Sequence, residues 1–124
     1  MARFLVICLG GAIGTGARYL LALWVTSKAG EGFPFGTLAV NVLGSFAMGF
    51  LAQYAASHEM GETTRLALTT GVLGGFTTYS AFNQETLRYL QLGAWGPGLA
   101  NLGVTVFACL AAGVGGMAAA KALA

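Results

Sequence analysis

The chain has 124 residues, a net charge of +2, and 56% hydrophobic against only 8% charged side chains. A water-soluble domain carries about 25% charged residues, so this composition excludes an ordinary soluble protein. The small, scattered positive charge also excludes a nucleic-acid surface. There is no aspartate: the acids are Glu31, Glu59, Glu62 and Glu85, and the bases Arg3, Arg18, Lys28, Arg65, Arg88 and Lys121.

A helix needs about 20 apolar residues to cross a bilayer core. The opening "MARFLVICLGGAIG" has the basic start and apolar run of a signal peptide. The run continues past Arg18 to Val25, however, too long for a cleaved core and suited to a retained first span at 4–26. A second span is expected at 36–56, with Thr37, Asn41, Ser45 and Gln53 as its polar members. A third, 66–90, is long enough but contains "GVLGGFTTYSAFNQE", and a fourth, rich in Gly and Ala, covers 99–120. The connections read "SKAGEGFP", "SHEMGETTR" and "LGAWGPG". The chain is thus a single membrane domain over 1–124, all-α, with both termini on the same side. Trp24, Tyr54, Tyr89 and Trp95 fall near span ends, as interfacial aromatics do. Cys8 and Cys109 lie in separate apolar segments and read as small buried hydrophobes rather than metal ligands.

Basic residues flanking the spans set orientation. Arg3, Arg65 and Lys121 fall on one side and Lys28 and Arg88 on the other, almost no bias. A chain so balanced is able to insert both ways and pair with an inverted copy. Small residues recur four apart at Gly10/Gly14, Ser45/Gly49, Gly71/Gly75 and Ala112/Gly116, a spacing that lets helix backbones approach. Generic packing explains most of these, yet so many small faces also point to an oligomer.

Polar groups inside the spans carry the functional question. Arg18 either snorkels to an interface or sits at a water-filled mouth and draws in an anion. Glu85 has two candidate partners, Arg18 and, one turn along its own helix, Arg88. Asn41 either glues helices together or offers its NH₂ to an anion. "GG" followed by "TT" is poor helix, and Thr77 or Thr78 is placed to cap a second half-helix beginning at Tyr79. Non-helical backbone at membrane depth survives only when buried in protein or lining a cavity, and its freed carbonyls then become cation ligands. Tyr79 and Phe82 share a helix face, a spacing that packing alone also produces.

Three stretches occurring in order, "GGAIGTGARY" (10–19), "GTLAVNVLGS" (36–45) and "GGFTTYSAFNQE" (74–85), resemble the small fluoride-channel family (Fluc, also called CrcB) over essentially the whole chain. The resemblance implies four transmembrane helices, the third broken, in an antiparallel dual-topology homodimer in the cell inner membrane. Two pores would let cytoplasmic fluoride leave the cell. It implies a structural Na⁺ at the dimer centre, held by the backbone carbonyls of Gly74 and Thr77 of both subunits. The pore asparagine corresponds to Asn41, the vestibule arginine to Arg18, and the motif serine and glutamate to Ser80 and Glu85. The pore aromatics correspond to Tyr79 and Phe82. The usual family run is TTFSTF where this chain has "TTYSAF", so Tyr79 replaces a phenylalanine and Ala81 a threonine. Aromatic ring edges carry positive quadrupole density suited to a dehydrated anion, and tyrosine keeps that edge.

No catalytic constellation is present, since the single histidine, His58, lies in a loop beside Glu59. Two other kinds of membrane protein share this length and span pattern. A small dual-topology multidrug exporter needs a proton-coupling carboxylate deep in the first span, and no acid precedes Glu31. A non-transporting membrane assembly partner would use the same polar residues for packing alone.

Overall fold

The computed structural model describes all residues, 1–124, and every regular element in it is helical. Helices α1 (Ala2–Ala29), α2 (Phe35–Ser57) and α6 (Trp95–Ala122) are each long and apolar enough to cross a membrane. Between α2 and α6 lies a broken segment. It begins with α3 (Glu62–Leu66), continues as a π-helix over Ala67–Leu73 and ends with one α-turn, α4 (Gly74–Phe76). Thr77 and Thr78 are extended, and α5 (Tyr79–Gln91) follows.

The three long helices overrun their expected ends by a few residues. At α6 the cause is plain. Pro97 falls in the first helical turn, where no N–H is needed, so the helix starts at Trp95 rather than after the "GPG". At the other extreme α1 stops at Gly30, whose φ of +83° only glycine adopts cheaply.

The break is narrower than the sequence suggests. Gly74 and Gly75 remain helical, and only the two threonines leave the helix. Packing overrides glycine's weak propensity here. A Cβ on Gly75 would run into the Gly11 carbonyl oxygen, and one on Gly71 would sit 2.8 Å from Ile7 O. Reciprocally, a Cβ on Gly10 would meet Ala67 O at 2.8 Å, and one on Gly14 would collide with Val72 O. The glycines serve close approach of α1 to the π-helix, not the break itself.

The α2–α6 contact uses the same device, with Gly49 against the Gly113 backbone and Gly116 against Phe46 O and Phe50 N. These small faces are therefore occupied within one chain, so their number no longer argues for an oligomer. The first half of the broken segment lies along α1, while α5 leans on α6.

Only 16 of 124 residues are buried, and just four of them, Val40, Leu73, Phe82 and Ala120, are apolar side chains. Large apolar groups such as Leu9, Ile13, Leu20, Phe107 and Leu110 point outward instead. An Arg3–Glu62 ion pair of 3.0 Å ties α1 to α3 at one end, and Tyr89 donates to Gly32 O at 3.1 Å at the other. Tyr54 stacks on His58 with ring centroids 4.2 Å apart.

Candidate functional site

The break is held from outside by α2. Asn41 donates through Nδ2 to Thr78 O at 2.9 Å and accepts the Thr78 N–H on Oδ1 at 2.8 Å. An amide carries its donor and its acceptor on two separate atoms, so it satisfies a backbone N–H and C=O at once, as a neighbouring strand would. Leaving either group bare in the interior costs about 1–3 kcal/mol, so this clasp stabilises an extended residue where a helix would otherwise form. Thr78 then caps α5, accepting the Ala81 N–H on its hydroxyl at 3.2 Å, which selects Thr78 over Thr77 as the cap. Ser80 Oγ lies 3.2 Å from that same hydroxyl.

Four carbonyls, those of residues 74 to 77, lose their helical donors in consequence, Gly74 and Thr77 among them. In an unbroken helix the Thr78 N–H would close onto Gly74 O and the Ala81 N–H onto Thr77 O. The first goes instead to Asn41 and the second to Thr78 Oγ1. Thr77, by contrast, keeps its own N–H and hydroxyl on Leu73 O, both at 2.9 Å. Gly74 and Thr77 thus present neutral hard oxygens, the chemistry that suits an alkali cation. No cluster of three or more His, Cys, Asp or Glu side chains competes for a metal.

Beside the clasp, a cleft of about 410 Å³ opens between α2, α5 and α6, lined among others by Asn41, Ser45, Tyr79, Phe82 and Thr105. Tyr79 and Phe82 meet edge-on, centroids 5.6 Å apart and planes at 69°. Phe82 is buried against the chain, whereas Tyr79 is 76% exposed. Asn41 commits one amide hydrogen to Thr78 and keeps a second. Its two sequence readings, glue and donor, are compatible in one residue.

The structure does not gather every expected residue here. Arg18 is half-buried in a neighbouring groove with Thr15, Tyr19, Thr37 and Thr78. Glu85 pairs with neither Arg18 nor Arg88; Thr37 donates its hydroxyl to Oε1, and Oε2 is buried without a partner. Thr78 borders both the cleft and the Arg18 groove, so the clasp separates the two.

Several polar residues escaped the sequence reading. Asn101, Thr105 and Thr86 are buried between α5 and α6, and Thr37, legible only as a polar member of its span, holds Glu85. A signal existed for two of them: Asn101 and Thr105 are four apart in an otherwise Gly/Ala/apolar span.

Three long apolar helices, a broken helix and an inward cluster of amides and hydroxyls define a multi-pass helical membrane protein with a polar cleft. The chain belongs to the family described as CrcB-like protein, Camphor Resistance (CrcB), whose model matches residues 5–117. It is 52% identical over 124 residues to a protein of Sorangium cellulosum named fluoride-specific ion channel FluC, covering 99% of this chain and 98% of that one. Relatives bearing the same name in Anaeromyxobacter dehalogenans and Rhizobium meliloti are similar too. The first is 50% identical over 113 residues (90% of each chain) and the second 43% identical over 125 residues (99% of each).

Proposed function

We propose that this protein is a fluoride-selective ion channel that lets fluoride leave the cytoplasm and so lowers its toxicity. The observation that carries the reading is full-length kinship with proteins named for that activity. The family's broken-helix motif, moreover, stands in this chain beside a polar, aromatic-edged cleft. Transport breaks no covalent bond, and the chain is not an enzyme.

In this reading the broken segment is the third of four membrane crossings, and two copies in opposite orientation form the working unit in the cell (inner) membrane. The near-equal count of basic residues, Arg3, Arg65 and Lys121 against Lys28 and Arg88, supports insertion both ways. A structural Na⁺ would be held by Gly74 and Thr77 carbonyls of both subunits. Two neutral oxygens from each copy, Gly74 O freed by the clasp and Thr77 O freed by the Thr78 cap, fit that ion, which would supply a fixed positive charge pinning the two breaks together. It would not itself be transported.

The residues divide the work by chemistry. Arg18 raises the local anion concentration at the entrance by presenting its guanidinium to the groove beside the clasp. Asn41 donates its remaining amide hydrogen to the partly dehydrated ion. Ring edges of Tyr79 and Phe82 carry the ion through the narrowest part. Ser80, and Glu85 in a gating or coupling role, extend the polar route.

The test is fluoride efflux from liposomes containing the purified protein, followed with a fluoride electrode, with chloride efflux as control. Rapid fluoride loss with chloride retained is expected. Absence of both would leave a non-transporting assembly partner, and proton-coupled export of an organic cation would identify a small multidrug exporter.

A further inference from the structure

We infer that Asn101 is a positioning residue for the cleft, setting Phe82 and the Thr105 hydroxyl through one hydrogen-bond relay between α5 and α6. The inference rests on the channel reading above. Asn101 is the most deeply buried polar side chain, 1% exposed, and it stands inside a helix where asparagine is a poor choice.

Its bonds have a forced direction. Thr86 has a single hydroxyl hydrogen, given to Phe82 O at 2.8 Å. The Thr86 oxygen must therefore accept from its other neighbour, and Asn101 Nδ2 donates to it at 2.9 Å. That fixes which way the amide faces, with Oδ1 turned toward Thr105, whose hydroxyl donates to it at 3.4 Å.

Two consequences meet in the cleft, which Phe82 and Thr105 both line. The Thr86–Phe82 bond, braced by Asn101, fixes the turn of α5 that carries the Phe82 ring. The Thr105 hydrogen rests on Asn101 through a long, weak bond, so it is held in order yet free to turn toward a passing anion. If Asn101 served only to join helices, its loss would alter stability and leave ion discrimination untouched.

The experiment compares full-length parent, Asn101→Leu, Thr86→Val, Thr86→Ser and the double variant N101L/T86V in the fluoride and chloride efflux assay. Size-exclusion profile and melting temperature are recorded alongside. Asn101→Leu and Thr86→Val are each expected to slow fluoride efflux about tenfold, the size of one lost buried hydrogen bond, and to lower the fluoride-to-chloride ratio. The double variant should be no worse than either single one, because the relay is already cut. Thr86→Ser, which keeps the hydroxyl, should retain both flux and ratio. Thr86→Val preserves shape and carries the same test if Asn101→Leu does not yield folded protein. An unchanged ratio in these variants, whatever happens to their melting temperature, overturns the inference. A parent that conducts no fluoride overturns the channel reading first, so the two failures are told apart.

Discussion

The two halves of the broken segment are built on opposite principles. From Ala67 to Phe76 the chain lies against α1 backbone to backbone, with Gly71 facing Ile7 and Gly10, Gly75 facing Gly11, and Gly14 facing Val72 and Phe76. From Tyr79 to Gln91 it is held by polar side chains: Asn41 at its start, then Asn101 through Thr86, then Thr37 on Glu85. Close packing fixes distance because any added atom meets main chain. Hydrogen bonds fix direction and leave hydroxyls able to turn. The half that must be rigid and the half that touches the cleft are thus told apart by what fills their contacts.

The sharpest way to break this contrast is to add atoms to the glycine half. Gly14→Val would drive a side chain into the Val72 carbonyl and the Phe76 amide. Overpacking costs about 1–3 kcal/mol even when flexible neighbours yield, and backbone does not yield. No monodisperse protein is expected on size exclusion.

Next comes Asn41→Ala, which strips partners from both backbone groups of Thr78. At about 1–3 kcal/mol per bare buried group, it should lower thermal stability in detergent markedly and abolish fluoride efflux together. A variant that loses efflux at parental stability would show the clasp to be dispensable.

Phe82→Leu tests the polar half without touching a hydrogen bond. It should slow fluoride efflux at least about tenfold while the melting temperature falls only modestly. Replacing Na⁺ by a large organic cation throughout purification should likewise cost activity, read as loss of efflux restored on adding Na⁺ back. Restoration by no alkali cation would remove Gly74 and Thr77 from that role.

The smallest effect is expected at Tyr79→Phe. The Tyr79 hydroxyl bonds to nothing in the structure, and the ring is largely exposed, so efflux should stay within about twofold of the parent. A large change in the fluoride-to-chloride ratio would instead make that hydroxyl part of the route.

The same contrast explains what was legible in the sequence. Helices α1, α2 and α6 follow from length and apolarity, and a threonine cap at 77 or 78 from threonine chemistry, the choice of Thr78 coming from its bond to Ala81. The break was expected across the glycines as well, because propensity cannot report that Gly11 and Gly14 press from the other side. The π-helix over Ala67–Leu73 has no composition of its own to announce it. Asn41 was legible as a polar group, but not its two bonds to Thr78, which join residues 37 apart. Nor did an opposite charge secure Glu85; a neutral threonine did.

One feature of the fold reshapes what substitution can do here. With four apolar side chains inside and bulky ones outside, a saturation scan should give a tolerance map inverted from that of a water-soluble enzyme. Leu, Ile, Phe and Val on the outer surfaces of α1 and α6 should interchange freely with one another. The smallest residues, ordinarily the easiest to replace, should permit almost nothing.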